Sequence, residues 1–501
     1  MSYFNTIKSN QSKPSVVNHE KGKSFSLTPE LELATLLTTS TEIKSNYYES
    51  KDERIERLKN LLETNKDKKG FIEFAGKATI YSRKVVGLKT ISHISTALLT
   101  QYTPNQSWAK PFYSQVINYI PDLSETIGAY KHFFREGDKI GALPKAMKVS
   151  FAEYLAKTNY HLASKWQMSN KTISLIDLVN LLHIKNETWV DELMKTGSLK
   201  PAETKEVLLS KEVAKAKLEG KTESEINEIK NKVYADLNAE NKMGYYAMIT
   251  GLVQVSSGTD EQIDLICRNI ENKEAIKKSL IHPLQLTLAY NQVMMKGDYK
   301  GAMKLMIALS NAIELCYDIP EIVENATKDS GKTCIMLDIS GSMSGKFSKI
   351  ASLVSAVLLK FGNTDIIRYD TEVDEPRINP RDTVFSIASQ IDMARGGTQI
   401  HKAFEYIKNR YYDKIVILTD QQDFGSDSDQ GNIEFKNWTK LNNPNANVYS
   451  VDVSGYGNSV FNNNSPKVHT YTAFDKTVVG HLINAKPIDL VAVINEVIKF
   501  D

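Results

Sequence analysis

The sequence is poor in cysteine: its 501 residues include three, Cys267, Cys316 and Cys334. They lie far apart and form no CxxC pair, which excludes a disulfide scaffold, a zinc knuckle and a thioredoxin motif. This usage is typical of a reducing compartment, so we expect a cytoplasmic protein. No apolar run approaches the ~18 residues of a membrane-spanning helix, and the start MSYFNTIKSN lacks the apolar core of a signal peptide. We therefore expect a protein that is neither exported nor bound to a membrane.

Motifs of common enzymes are also missing. The chain contains no HExxH, GxSxG or EF-hand pattern, and its nine histidines show no zinc-ligand spacing. The segment Gly331-Lys332-Thr333 resembles the end of a P-loop. However, Ala326 replaces the leading glycine, and the segment precedes a predicted strand instead of following one. We therefore expect no nucleotide site there and no enzymatic activity.

The overall charge is nearly balanced, but its distribution is uneven. The net charge is +2, and 41% hydrophobic with 24% charged residues is an ordinary globular composition, which excludes collagen-like and wholly disordered chains. The segment from Lys131 to Lys171 carries eight basic and three acidic residues. Concentrated positive charge binds phosphates through counterion release. A solvated helix face explains the same pattern equally well.

Helical periodicity fills roughly the first 325 residues. Apolar residues recur at three- and four-residue spacing in residues 31–37, 91–99, 175–182 and 284–294. The segment SLTPE at 26–30 predicts a helix start, with threonine as the N-cap and proline in the first turn. Successive helices with short breaks indicate a helical-repeat arrangement, although no fixed period is present.

The pattern changes in two places along the chain. Residues 201–241 are rich in lysine and glutamate, which predicts an exposed helical insertion. Residues 325–332 are small and polar, and we place the main domain boundary there. Beyond it, β-branched runs alternate with helical segments, which predicts a doubly wound parallel α/β sheet. The predicted strands are residues 333–337, 366–369, 414–418 and 448–453.

Oxygen-bearing side chains follow the strands of this second domain. Asp338, Ser340 and Ser342 lie on a glycine-containing loop directly after the first strand. Thr398 follows two glycines, and Asp420 ends the strand KIVILT. Two carboxylates and three hydroxyls suit a Mg²⁺ ion that keeps waters and leaves one position for an outside carboxylate or phosphate. An isolated DxSxS is more often a helix N-cap or a turn, but the later threonine and aspartate favour a metal site.

These five residues resemble the complete metal-ion-dependent adhesion site of a von Willebrand factor A domain. The resemblance covers residues 330–501. It implies that Asp338, Ser340 and Ser342 hold the metal from one loop, Thr398 from a second and Asp420 from a third.

The helical part resembles the Ro autoantigen family. The resemblance rests on residues 18–33, 141–185 and 260–290, in this order and followed by the A domain. It implies a TROVE module over residues 1–325, built as a ring of HEAT-like helices, and an A domain over residues 330–501.

The same resemblance implies an RNA-binding ribonucleoprotein component that acts in RNA stability or quality control. Its partners would be a small noncoding Y-like RNA on a basic outer surface and single-stranded ends of misfolded RNA in the ring. A protein partner supplying an acidic group to the metal is a further expectation, and we expect a monomer. The predicted RNA-binding residues, led by His183 at the end of its motif, are His183, Lys145, Lys148, Lys165, Lys171, Arg83 and Lys84.

The residues also leave other interpretations open. Asn170 and Trp166 stand where the family has basic residues, and Thr250-Gly251-Leu252 replaces an Arg-Asn-Leu segment. A lone histidine at a helix end is usually capped or packed. His282-Pro283 is interpreted as a structural helix start. Two alternative functions remain: a metal-dependent protein-assembly module without RNA binding, and an accessory subunit of an ATP-driven machine.

Overall fold

The computed structural model describes most of the chain. The described residues are 14–40, 46–136, 139–184, 188–200, 205–239, 243–256, 258–297, 299–320, 331–424, 430–484 and 488–500. By compactness the chain divides into two units. The first unit comprises Met1–Leu61, His282–Thr287 and Ser310–Val497, and the second comprises Leu62–Ile281, Leu288–Leu309 and Ile498–Asp501. Compactness thus groups the described residues before Leu62 with the α/β fold, whereas the predicted division follows the order of the sequence. The predicted boundary at residues 325–332 lies largely outside the described residues.

Helices dominate the chain before residue 320, as the periodicity predicts. They are α1 Pro29–Thr39, α2 Lys51–Asn65, α3 Phe71–Tyr81, α4 Thr90–Leu99, α5 Ala109–Val116, α6 Ile120–Phe133, α7 Lys145–Ala156, α8 Tyr160–Lys165, α9 Leu175–Leu182, α10 Thr188–Thr196, α11 Lys205–Leu218, α12 Glu223–Ala239, α13 Tyr245–Thr250, α14 Leu252–Val255, α15 Asp260–Ile270, α16 Lys273–Ser279, α17 Pro283–Lys296 and α18 Tyr299–Cys316. A π-helical turn, Ser82–Val86, follows α3.

The predicted start of the first helix is confirmed. The Thr28 hydroxyl accepts a hydrogen bond from the Leu31 amide at 3.3 Å, and Pro29 occupies the first helical position. Proline suits this position because its missing amide hydrogen would have no intrahelical acceptor. The bounds of α9 also match the predicted segment 175–182, where the Ser174 hydroxyl and the Asp177 carboxylate form a reciprocal capping box.

The lysine- and glutamate-rich segment forms two helices, α11 and α12, which pack against each other. Helix α12 also contacts α14 and α15. Many of the described side chains of this pair are exposed, including Leu218 at 90%. The helical prediction is confirmed, and the packing of α12 ties the segment to the second unit.

Strands occur in both parts of the chain. They are β1 Val16–Val17, β2 Lys23–Ser26, β3 Arg135–Glu136, β4 Lys139–Ile140, β5 Thr333–Asp338, β6 Thr364–Tyr369, β7 Val373–Asp374, β8 Lys414–Thr419, β9 Asn447–Asp452, β10 Asn458–Ser459 and β11 Val468–Thr472. The expectation that the first 325 residues are entirely helical is therefore wrong at β1 to β4. These strands are two to four residues long, too short for alternation to be visible in the sequence.

The first unit contains a six-stranded sheet in the order β11-β9-β8-β5-β6-β7. All its pairs are parallel except that of β7 with β6. The helices of this region are α19 Lys346–Phe361, α20 Val384–Ile391, α21 Ile400–Tyr406, α22 Gln430–Leu441, α23 Val478–Ile483 and α24 Leu490–Val497. The predicted α/β class and all four predicted strands are confirmed within two residues at each end.

Both faces of this sheet are buried. Met336 of β5 and Ile417 of β8 share a core cluster with Phe404 of α21 and with Phe435 and Trp438 of α22. Helix α19 packs on β5 and β6, also contacting α20 and α23. Burial on both faces explains why these strands are continuous apolar runs without alternation.

The strand order reverses between β5 and β8. From β5 the chain adds β6 on one side and later β8 on the other, and both strands are parallel to β5. In doubly wound sheets the crevice at the carboxyl ends of such strands is the usual ligand site. Asp338 ends β5 and Asp420 directly follows β8, so both lie at this switch point.

Candidate functional site

Three loops at the carboxyl ends of the strands carry the five predicted metal ligands. We call residues 338–344 the first loop, residues 395–399 the second and residues 420–424 the third. The Gly341 amide donates to the Gly396 carbonyl at 3.0 Å, which joins the first loop to the second. The Phe424 amide donates to the Thr398 carbonyl at 2.8 Å, which joins the second to the third. The fold thus brings together residues that lie up to 82 positions apart in the numbering.

The five predicted ligands, Asp338, Ser340, Ser342, Thr398 and Asp420, are all buried, with exposures of 6% or less. The hydroxyl oxygens of Ser340 and Ser342 lie 3.2 Å apart. The Asp338 carboxylate accepts the Ser340 amide at 2.8 Å and the Thr419 hydroxyl at 2.7 Å. These bonds fix the orientation of Asp338.

The Asp420 carboxylate is only partly satisfied. Its Oδ1 accepts the Gln422 amide at 3.1 Å, while its Oδ2 is buried and has no hydrogen-bond partner in the described structure. Burial, followed by the negative charge of Asp338, raises the pKa of Asp420 well above its ordinary value, and the nearby Ser342 hydroxyl offsets only part of this shift. Burial likewise raises the pKa of Asp338 to about 6. Among the described residues, no lysine or arginine forms an ion pair with either carboxylate.

This donor set fits a hard divalent cation. A cation would stabilise the ionised form of these two buried carboxyl groups, and the neighbouring hydroxyls supply neutral oxygen ligands of the kind Mg²⁺ accepts. The described ranges contain no cluster of three or more His, Cys, Asp or Glu side chains suited to a metal. The predicted site is not such a cluster, because only two of its five ligands are carboxylates and the other three are hydroxyls.

Residues that the motif did not include support this site. Asp370 directly follows β6, is 3% exposed and accepts the Arg395 Nε at 3.0 Å. A Cβ on Gly396, whose φ is +65°, would lie 2.9 Å from an Asp370 carboxylate oxygen, so this position requires glycine. Asp423 accepts the Ile400 amide at 3.1 Å and thereby ties the third loop to the start of α21. Asp370 directly follows a predicted strand, so the rule that ligands lie at the carboxyl ends of parallel strands could have identified it. No sequence pattern singles out Thr419 or Asp423.

The predicted RNA-binding residues lie in the second unit. Helix α9 packs against α6 and α7. Lys145 and Lys148 lie one turn apart on α7, the first exposed and the second half-buried. Lys171 precedes α9 and is exposed, but it forms a 3.0 Å ion pair with Glu125 of α6, which offsets its charge.

His183 ends α9 in the left-handed conformation, with φ of +55°. Its amide donates to the Val179 carbonyl and its side chain is exposed, so the residue both caps the helix and presents an imidazole at the surface. Lys165 is also exposed. Its ammonium lies 5.7 Å from the ring centroid of Trp166, which is 37% exposed, so the two form a cation–π pair.

Burial contradicts the prediction for Arg83. The side chain is 0% exposed and its Nη2 donates to both Asp122 carboxylate oxygens at 3.0 Å. His93 Nε2 lies 2.9 Å from Asp122 Oδ1. Burial opposes ionisation of Asp122, but the His93 hydrogen bond and the Arg83 charge hold its pKa below the ordinary value. Arg83 therefore neutralises a buried carboxylate, a role that its position in the sequence does not reveal.

Lys84, next in the chain, is half-buried, and burial followed by the charge of Arg83 lowers its pKa. His282 is confirmed as a structural residue: its Nδ1 accepts the Leu284 amide at 3.2 Å, and its Nε2 lies 3.2 Å from the Phe474 carbonyl oxygen. Among the described helices, none combines the length and hydropathy required to cross a bilayer.

Comparison with known proteins gives a match in structure without a match in sequence. No protein-family model matches the chain. No curated protein matches it either. The crystal structure of the Ro (RSR) protein of Deinococcus radiodurans matches with a TM-score of 0.56 and 15% sequence identity, covering 91% of this chain and 100% of that one. The resemblance found in the sequence is therefore confirmed at the level of the fold: this chain has the fold of a Ro protein.

Proposed function

We propose that the protein binds RNA through the basic surface of its helical unit. The observation that carries this proposal is the unneutralised charge on α7 and α8. Within the described residues, no carboxylate forms an ion pair with Lys145, Lys148, Lys157 or Lys165. Lysines without acidic partners attract a phosphate backbone, because each neutralised phosphate releases condensed counterions. The Ro-like fold supports the same proposal.

The proposed RNAs are of two kinds. A small structured noncoding RNA, Y-like in type, would be held by its backbone, and single-stranded ends of misfolded RNA would offer bases for stacking. The exposed Lys165–Trp166 pair supports the second mode, since an aromatic ring beside a cation can stack a base and contact its phosphate. In this proposal the protein is a non-enzymatic, cytoplasmic ribonucleoprotein component in RNA stability or quality control.

The test is a fluorescence-anisotropy titration with a hairpin RNA, the same hairpin carrying a single-stranded 3′ tail, and a duplex DNA of equal length. Phosphate binding predicts that log Kd rises linearly with log salt concentration, by about 0.7 to 0.9 per phosphate contacted. A tail that tightens binding would support the single-stranded mode. No binding to any RNA at about 50 mM salt would contradict the proposal.

A matched control separates the proposed surface from positive charge in general. Lys300 and Lys304 already pair with Asp260, at 2.8 and 3.6 Å, and Lys304 also pairs with Asp264. The double variant Lys300→Gln/Lys304→Gln removes the same number of charges as a double substitution on α7. We expect it to leave RNA affinity within about twofold, because these lysines are already neutralised.

The second part of the proposal is a Mg²⁺ ion at Asp338, Ser340, Ser342, Thr398 and Asp420. The bound ion would supply positive charge and one coordination position to an acidic group of a partner protein. The unpartnered Asp420 Oδ2 supports this assignment. A metal site of this kind also fits the alternative function, a metal-dependent protein-assembly module. Binding of a partner protein that requires metal, together with no affinity for RNA, would favour that alternative over RNA binding.

A further inference from the structure

The N-terminal hairpin lies against the third loop of the candidate metal site. Strands β1 and β2 pair antiparallel, with Val16 opposite Ser24 and Val17 opposite Lys23. Strand β2 also pairs with β10. We call residues 16–26 the hairpin and residues 18–22 its turn. All of these residues belong to the same compact unit as the sheet.

Two hydrogen bonds join the turn to the third loop. The side-chain amide of Asn18 donates to the Asp423 carbonyl at 3.0 Å, and the His19 amide donates to the Gln422 side-chain carbonyl at 2.8 Å. Asn18 is 6% exposed and Gln422 is fully buried, so water does not compete freely for these bonds. The turn thus holds the third loop at two consecutive residues.

Gln422 links the turn to the predicted ligand Asp420 through hydrogen bonds. Its side-chain nitrogen donates to the Asp420 carbonyl at 3.2 Å and to the Asn458 side chain at 2.9 Å. Its backbone amide donates to Asp420 Oδ1 at 3.1 Å. A single buried glutamine therefore connects the amide of His19 to the carboxylate proposed to hold the metal.

Gly22 allows the turn to approach this closely. The Asn18 side-chain oxygen accepts the Gly22 amide at 2.7 Å, which closes the turn. A Cβ at position 22 would lie 2.4 Å from the Asp423 carbonyl oxygen, a backbone atom that can move away only if the third loop shifts. One added methyl group would therefore displace the hairpin from the loop.

We propose that the N-terminal hairpin is a positioning element of the metal site: Asn18, the His19 amide and Gly22 hold the third loop in the conformation that presents the Asp420 carboxylate to the ion. This inference rests on the proposed metal site. Loss of a hydrogen bond made directly to a metal ligand typically weakens metal binding by about 10- to 100-fold. The hairpin acts one residue further out, through Gln422, so we expect an effect at the lower limit. The hairpin is thus part of the site although it lies more than 300 residues before the first ligand in the sequence.

The experiment measures binding of Mn²⁺ to the full-length protein by electron paramagnetic resonance and calorimetry. The variants are Gly22→Ala and Asn18→Ala. The controls are Gly128→Ala and Gly244→Ala, outside the hairpin, where an added Cβ meets nothing within 4 Å. We expect both test variants to weaken Mn²⁺ binding about tenfold and both controls to stay within twofold of the wild type.

Thermal unfolding of every variant accompanies the titration, since a hairpin with a purely structural role would lower the melting temperature without changing the Mn²⁺ affinity of the folded protein. Unchanged affinity in Gly22→Ala and Asn18→Ala, with a wild type that binds Mn²⁺, overturns this inference and leaves the metal site standing. Wild-type protein that binds no Mn²⁺ overturns the metal site itself. If Gly22→Ala does not fold, Asn18→Ala decides the outcome alone.

Discussion

Replacing Arg83 by methionine tests the finding that this residue is a buried structural cation. The substitution keeps most of the side-chain volume but leaves the Asp122 carboxylate without its arginine. Removing one partner of a buried ion pair costs about 3 to 5 kcal/mol, because the other charge stays desolvated. Arg83 Nε and Nη1 form no hydrogen bond with the described residues, although the guanidinium lies 5.0 Å from the centroid of the Tyr119 ring, so part of the desolvation penalty disappears with the arginine. We therefore expect a loss near the lower limit, about 3 kcal/mol.

The double variant Arg83→Met/Asp122→Asn refines this magnitude. Asparagine keeps an acceptor for the amides of Asn118 and Tyr119, which donate to Asp122 at 2.8 and 3.3 Å. Since no buried charge remains unpaired, we expect the double variant to be more stable than the sum of the two single effects by about 1 to 3 kcal/mol.

Urea unfolding followed by tryptophan fluorescence measures these changes, because three of the four tryptophans, Trp108, Trp166 and Trp189, belong to the second unit. RNA affinity is measured in parallel below the unfolding transition. A folded Arg83→Met protein whose stability is unchanged and whose RNA affinity falls more than tenfold would contradict a structural role for Arg83, since that result requires the guanidinium to contact RNA.

Three further predictions concern other parts of the chain. The double substitution Lys145→Gln/Lys148→Gln should lower the slope of log Kd against log salt by about two in the anisotropy titration; an unchanged slope would remove α7 from the RNA surface. Burial lowers the pKa of His282 to about 3, so the unfolded chain protonates first as the pH falls, and the free energy of unfolding decreases between about pH 6.5 and pH 3. Between pH 7 and 5, His282→Asn should therefore lose about 2 kcal/mol less stability than the wild type in urea unfolding, and identical pH profiles would contradict this. A Cβ on Gly301 would lie 1.9 Å from the Ser256 carbonyl oxygen, so Gly301→Ala should destabilise the second unit by about 1 to 3 kcal/mol, and a variant as stable as the wild type would contradict that close approach.

Local signals explain which parts of the fold were predictable. The capping residues around α1 and α9 and the buried runs of β5 and β8 depend on neighbours within a few positions, and their bounds were predicted closely. The hairpin was missed because β2, with sequence KSFS, is four residues long and pairs with β10, more than 430 positions away. Such pairing leaves no periodicity in the sequence.

The sequence predicted the ligands of the candidate metal site but not the residues that hold those ligands in place by hydrogen bonds. Strand ends carry Asp338 and Asp420, so the rule for parallel sheets identifies them. Thr419 and Gln422 act through hydrogen bonds to these carboxylates, which depend on side-chain directions that no spacing rule supplies. The prediction that Arg83 binds RNA was wrong for a related reason. Its partner Asp122 is 39 residues away, so the sequence alone does not distinguish this buried arginine from one at the surface.

RNA binding is tested most simply by purifying the protein from its own cells in mild salt, measuring the ratio of absorbance at 260 and 280 nm, and sequencing any RNA that accompanies it. If the protein binds RNA as proposed, we expect a raised ratio and a discrete small structured RNA that is released by high salt. An absorbance spectrum free of nucleic acid, with no RNA recovered, would contradict RNA binding as the function. It would favour the alternative function, in which the metal site binds a protein partner.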